Sequence, residues 1–445
     1  LLELNQRFPN EIEEQRIKVQ SSWEKMYHSE YIYNKIIDYR GKQVPIDPLV
    51  PIPAIISEIN ADLLFGEFPK FNFQDETINK LINKMIRNKL ESDMLELATY
   101  VSAVGTVFWK FFMIDNEINY EFIQGNKVAE WEEGLKGITN IKFFEELETD
   151  KYNKFTWYII EEHIYEDDQY FILRYKIKVK NTTNEIVKIE DIEREVTGLD
   201  FMPIIKVINI GQMNSKIGKS DYQGKEQLFA EIDNRVDQIN YVLQENADPW
   251  KFLPPGILDP HGRFNKRDGK MVEKAPGGDN TVDIVTWDAS LDAAFRQIEK
   301  MIELVFFTCR ISSPIAGLEK GGQVESGRAL KWRSINTFSN INKKRKYFNK
   351  VFYKMFEIIS KLDSEYKNID IDKLIIEWQD GLPLDSREIT DNIIRQVQAG
   401  ILSKLTAIQK INEVDKKEAN DELEQIKKEK GDEAELQQRA LPITL

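Results

Sequence analysis

A chain of 445 residues that is 31% charged with a net charge of −14 has room for about two or three domains, but it is poorly suited to gripping nucleic acid over a broad face, which asks for a basic surface. Its single cysteine, Cys309, excludes an intrachain disulfide and, lying in an apolar stretch, reads as a buried thiol. The longest apolar run, residues 101–114, is interrupted by Lys110 and too short to span a bilayer, so no membrane partner is expected, and the first residues do not read as a signal peptide.

Residues 11–40 predict a helix with aromatic residues at Trp23, Tyr27, Tyr31 and Tyr33. Pro45, Pro48, Pro51 and Pro53 then force an extended connector, because each proline removes a backbone donor and restricts the residue before it. A second helix is expected from Ala54, and a third over residues 76–104 with apolar positions at Leu81, Met85, Leu90, Leu95 and Leu97. From Thr106 the pattern shortens to alternation. Residues 107–114, 119–123, 156–164, 169–179 and 185–190 read as strands of an antiparallel meander. PIIKVINI, residues 203–210, is apolar enough for a further, interior strand.

Residues 218–247 predict a long helix whose apolar positions, Phe229, Ile232, Val236, Ile239 and Leu243, form one narrow stripe. Residues 291–311 repeat the pattern through Leu291, Ala294, Ile298, Met301, Ile302 and Val305, so the two are expected to pair as antiparallel rods. Between them, residues 248–290 carry Pro249, Pro254, Pro255 and Pro260 with RDG and PGGDN turns, which reads as a small β module. Residues 312–325, with Pro314, Gly317, Gly321 and Gly322, predict a mobile loop. One helix is then expected from Ser326 to Leu362, apolar at Phe348, Val351, Phe352, Met355, Phe356 and Ile359. After a strand at residues 373–378, the chain reads as helices with a stop at Gly400 and a charged tail.

Catalytic signals are sparse. GQMNSKIGKS, residues 211–220, follows a strand and opens a helix, which is the order of a phosphate-binding loop, but the glycine that such a loop needs well before Gly218 is replaced by Met213. The stretch reads instead as a helix start with Ser220 or Asp221 as N-cap. His28, His163 and His261 are widely separated, so no metal and no cofactor are expected. There is no G-x-S-x-G, and the acidic residues around Asp363 and Glu365 fall at a helix end, not on paired strands as a nuclease would need. The run Lys343, Lys344, Arg345, Lys346 winds round a full helical turn, so it cannot all face one DNA groove; it reads as solvated, as pairing between subunits, or as phosphate contact.

This order of segments resembles the portal proteins of tailed double-stranded DNA bacteriophages, particularly the long-tailed ones. PIPAIISEINADLLFGEFP, GKSDYQGKEQLFAEIDNRVDQINYVLQENADP, ESGRALKWRSINTF and EWQDGLPLDSREITDNIIRQVQAGILSKLTAIQKI carry the likeness. It implies an α+β portal fold assembling as a ring: a wing over residues 1–217, stem helices over 218–247 and 291–311, a clip over 248–290, a tunnel loop over 312–325, a long wing helix and strand over 326–382, and a helical crown with a charged tail over 383–445. It implies a non-enzymatic head–tail connector in the virion, at one capsid vertex, built in the host cytoplasm as a homo-oligomer of about twelve copies. Its implied partners are double-stranded DNA in the channel, the terminase large subunit, the major capsid or scaffolding protein, and a neck or adaptor protein at the clip. Gly317, Glu319, Lys320, Gly321, Gly322 and Gln323 would be the tunnel-loop contacts to DNA. The alternatives are another head–tail connector, the portal of a prophage-derived particle, or a P-loop NTPase or nuclease.

Overall fold

A computed structural model describes residues 2–30, 35–37, 43–45, 50–135, 137–247, 250–255, 271–277, 279–285, 291–318, 327–367, 369–379, 386–412, 414 and 416–439. The fold is α+β, in two compact units: Leu1–Gly322 with Trp332–Gly381, and Gln323–Lys331 with Leu382–Leu445.

The larger unit opens with α1 (Glu11–Tyr27), a hairpin of β1 (Lys35–Ile37) and β2 (Gln43–Pro45), and α2 (Ile52–Phe65). β3 (Lys70–Asn72) leads to α3 (Glu76–Met85), a π turn at Ile86–Leu90 and α4 (Glu91–Val104). Then come β4 (Thr106–Ile114), β5 (Glu117–Gln124), β6 (Val128–Gly134), β7 (Gly137–Thr149), β8 (Phe155–Glu166), β9 (Gln169–Lys180), β10 (Glu185–Val196) and β11 (Ile204–Ile208). α5 (Glu226–Ala247) and α6 (Leu291–Thr308) flank β12 (Trp250–Leu253), β13 (Met271–Glu273) and β14 (Asp283–Val285). α8 (Ile335–Leu362) and β15 (Ile375–Glu377) follow, while α7 (Gly327–Arg333), which precedes α8 in the chain, belongs mostly to the smaller unit.

The helix expected over residues 11–40 ends at Tyr27, because Ser29 takes a φ of +54° and Glu30 N–H turns back to Lys25 O. The third predicted helix does reach Val104, but through the π turn. That wider turn slows the rotation of residues four apart, so Ile78, Ile82, Ile86, Leu90 and Met94 all stay buried on one face, whereas a regular α-helix would carry them round it.

The predicted single meander is two sheets. β4 and β5 join β11 in the order β11-β4-β5, while β6 to β10 form a five-stranded sheet in sequence order. β6 and β7 escape the alternation pattern because charges interrupt it; inside the sheet Lys142 is buried against Glu130 and lies 3.4 Å from Glu162. β11 is an edge strand, yet Ile205 and Val207 are buried because α8 packs over it.

α8 carries the centre of the core. Phe348, Val351, Phe352, Met355, Phe356 and Ile359 are all buried, as their spacing predicts. Its rings meet α2 and β3 edge to face, with centroids 5.0 Å apart for Phe65 and Phe348, 4.9 Å for Phe71 and Phe352, and 5.2 Å for Phe73 and Phe356. Each buried side chain of this kind contributes about 1.5–3 kcal/mol, and each ring pair roughly 0.5–1.5 kcal/mol more. The helix expected from Ser326 is nevertheless broken: α7 stops at Arg333, and Ser334, at φ −99° and ψ 13°, leaves the helical region before α8 begins.

In the smaller unit α9 (Ser386–Gln398), α10 (Lys404–Asn412) and α11 (Lys416–Arg439) follow one another, α10 touching both neighbours. Gly400, at φ +71°, ends the first of them as its position predicts, and Ser403 Oγ accepts the Thr406 N–H to cap the second. Among the described residues Ile393, Ala407 and Ala419 are the buried apolar positions.

Candidate functional site

α5 and α6 form the antiparallel pair that their stripes predict. At one end Trp250, just after α5, pairs with Val285, shortly before α6; at the other, the Cys309 thiol just after α6 lies 3.8 Å from the Asp221 carbonyl oxygen, just before α5. The segment between them holds a three-stranded sheet in the order β13-β12-β14. Phe229, Ile232, Ile239, Val305 and Phe306 are buried, whereas Tyr241, Leu243 and Phe295 towards the far end are 51%, 44% and 49% exposed. Leu304 and Phe307 are also uncovered, at 46% and 73%. The described residues of one chain therefore cover only part of the apolar surface of this helical pair.

The foot of the pair is built differently from expectation. α5 begins at Glu226, and residues 218–225 run as irregular chain along the end of α4, with Gly224 at φ +80° turning into the helix. Gly105 and Gly218 let two backbones touch: a Cβ on Gly218 would lie 2.2 Å from Gly105 O. Gly218 N–H donates to Thr106 Oγ1 at 2.8 Å, and Asn209 N–H to Gly105 O at 3.0 Å. The glycine of GKS thus serves backbone packing. Ser220 and Asp221 are not helix caps either; Ser220 Oγ–H donates to Ala103 O at 2.5 Å, and Asp221 N–H to Ser102 O at 2.9 Å.

Asp221 anchors a buried polar cluster. Its Oδ2 accepts from Lys344 Nζ at 2.5 Å and from Ser102 Oγ–H at 2.6 Å, while Lys344 also donates to Asn60 Oδ1 at 2.9 Å. Lys344 is 0% exposed; burial lowers its pKa, and the Asp221 carboxylate works against that shift. Beside them the Tyr222 hydroxyl donates to Pro53 O at 2.7 Å. Trp23 Nε1–H meets Glu226 Oε1 at 2.9 Å, and Val50 N–H meets Asp233 Oδ1 at 2.8 Å. Four elements, α1, α2, α4 and α8, therefore hold the foot of α5. Burial pushes the Cys309 thiol up to about 12, which leaves it without nucleophilic thiolate at neutral pH.

α6 ends in a Schellman turn, with Ile311 N–H on Phe306 O and Arg310 N–H on Phe307 O. Arg310 occupies the left-handed position, φ +61°, where glycine is the usual residue; a side chain there costs roughly 1–2 kcal/mol. The expected loop of residues 312–325 begins as ordered structure. Ser312 N–H donates to Thr337 Oγ1 at 2.8 Å and Ser312 Oγ–H to Ser334 Oγ at 3.0 Å, so its start is tied to the break before α8. Ile315, Ala316 and Leu318 pack on the core, and Gly317 takes a φ of +69°. Glu319, Lys320, Gly321, Gly322 and Gln323 lie outside the described residues.

The model of one protein family, described as phage portal protein, SPP1 Gp6-like, matches residues 7–436. The chain belongs to that portal family. No curated protein matches it. Among solved structures, the portal chain is similar to one in the neck of an empty GTA particle computed with C6 symmetry, at 11% identity and a TM-score of 0.45, covering 82% of this chain and 90% of that one. A chain in the neck of a native GTA particle computed with C12 symmetry gives 9% identity and a TM-score of 0.44, covering 88% and 92%.

For the portal chain's basic run, the structure separates four residues that look alike in sequence. Lys344 is enclosed, so it contacts neither phosphate nor a second subunit; the correction follows from its place on the apolar row of α8, between Ile341 and Phe348. Arg345 is half-buried, lying 5.2 Å over the Trp378 ring and donating to Gln379 O at 2.5 Å. Lys343 and Lys346 are exposed. Among the described residues no group of His, Cys, Asp and Glu could hold a metal ion, and no helix is long and apolar enough to cross a membrane.

Proposed function

We propose that this chain is the portal of a tailed double-stranded DNA phage: a ring-forming, non-enzymatic channel at one capsid vertex through which DNA is packaged and ejected. The observation that carries this reading is the family match over residues 7–436. The uncovered apolar residues of α5 and α6 support it, because a heterologous contact repeated round a ring would cover them. A charge of −14 on each copy also favours guiding DNA over holding it.

Residues 218–247 and 291–311 then act as the stem, residues 248–290 as the clip that receives a neck or adaptor protein, and residues 383–445 as the crown. The wing, residues 1–217 and 326–382, faces capsid or scaffolding protein, and a separate terminase large subunit supplies the motor. In the tunnel loop, residues 312–325, the group Gly317, Glu319, Lys320, Gly321, Gly322 and Gln323 moves against the passing duplex. Deleting residues 317–322 is expected to leave ring assembly intact and to abolish DNA packaging in particles. Packaging at the parental level in that deletion would remove the loop's role.

A further inference from the structure

Two stretches with the look of phosphate chemistry, the GKS sequence and the basic run, are 124 positions apart from Lys219 to Lys343, yet both lysines line one cavity. It has a volume of about 150 Å³ and sits at the foot of the helical pair, with Lys225, Arg310 and Asn340 also in its wall. Among the described residues Asp221 is the only acidic group lining it, and that carboxylate is already engaged by Lys344 and Ser102 through Oδ2. Lys225 Nζ donates to the Asp221 carbonyl oxygen at 2.8 Å, which fixes its ammonium at the wall without neutralising it. The other cations, Lys219, Arg310 and Lys343, form no ion pair among the described residues, although the chain as a whole is acidic.

Two further features point to a ligand. Asn340 is 5% exposed as a residue and lines the cavity, and its side-chain amide, which makes no hydrogen bond with a described residue, is not among the buried unpartnered polar groups, so it is open to solvent in the cavity and free to donate. Arg310 lines the cavity from a left-handed backbone position that glycine would occupy more easily.

We infer that this cavity is a site for a phosphate oxyanion, held by Lys219, Lys225, Arg310 and Lys343 with the Asn340 amide as a further donor. A tetrahedral phosphate presents several acceptor oxygens and a negative charge, which ammonium and guanidinium groups meet with short charge-assisted hydrogen bonds. The phosphate comes from the backbone of DNA or from free phosphate. The DNA source rests on the portal reading; the free ion does not.

The test uses the full chain at low salt with two probes, inorganic phosphate and a short DNA duplex. The parental chain is expected to bind at least one of them, and Lys343→Gln and Arg310→Gly each to weaken that binding about fivefold or more. Lys346→Gln, on α8 but outside the cavity wall, is expected to bind as the parent does. Arg310→Gly is also expected to keep or raise the melting temperature, since glycine fits the backbone there, which separates lost binding from lost folding. A response to the duplex alone assigns the DNA backbone; a response to inorganic phosphate assigns the free ion and stands whether or not the chain forms rings. The inference is overturned if the parent binds neither probe, if both cavity variants bind like the parent, or if Lys346→Gln weakens binding equally.

Discussion

Lys344 occupies a place on α8 that the helix otherwise gives to apolar side chains, four residues after Asn340 and four before Phe348, on the row that continues through Val351 and Met355. Its register was a partial signal in the sequence: positions 344 and 345 both fall on the apolar face of α8, whereas 343 and 346 do not, and the composition of the run suggests only a charged surface. No spacing rule could have named its partners, because Asp221 and Asn60 are brought to it from distant parts of the chain. A buried ion pair gives little net stability, but breaking one side strands a charge. Lys344→Met is therefore expected to lower unfolding stability by about 3 kcal/mol or more, and adding Asp221→Asn to recover part of that loss. Urea denaturation of the three proteins at matched assembly state measures this; a single variant as stable as the parent would mean that the pair is not structurally important.

At the scale of elements, patterns of a single period were legible and interrupted ones were not. α8, α2 and the α5–α6 pair follow from apolar spacing, whereas β6 and β7 hide behind Glu130, Glu132 and Glu133, and the start of α5 is displaced by Gly224. The five-stranded sheet also conceals a titratable group. His163 on β8 is buried, with Nδ1 2.5 Å from the Tyr170 hydroxyl and Nε2 2.8 Å from Glu161 Oε1. Burial lowers its pKa, Glu161 opposes that shift, and Lys110 and Arg174 nearby reinforce it. With its folded pKa below the ordinary value of about 6.5, the unfolded chain takes the proton more readily; stability is full above about pH 6.5 and falls as the pH drops below it. The loss is expected to grow as the pH falls below that value and to shrink in His163→Gln. Equal pH slopes in parent and variant urea midpoints would show that His163 is not the group responsible. Glu161 is half-buried, which raises its carboxyl, but His163 and Lys110 outweigh that and hold it below the ordinary range, so its own contribution is lost only at lower pH.

Across the whole molecule, the order of segments was more informative than any one of them. Loose motifs in sequence order pointed to the portal family, and the family match spans residues 7–436. The site was less legible. The GKS sequence and the basic run each suggested phosphate on poor grounds of spacing, and only the fold brings Lys219 and Lys343 to one cavity while withdrawing Lys344 into the core. The apolar residues that the described part of the chain leaves uncovered on α5 and α6 belong to this scale as well, since under the proposed function a neighbouring copy covers them. Mass photometry of the purified chain under assembly conditions, with negative-stain images of the same sample, tests the proposed ring most directly. The account predicts a closed ring of about twelve copies with a central channel; a chain that stays monomeric, with no ring in particles, would contradict it.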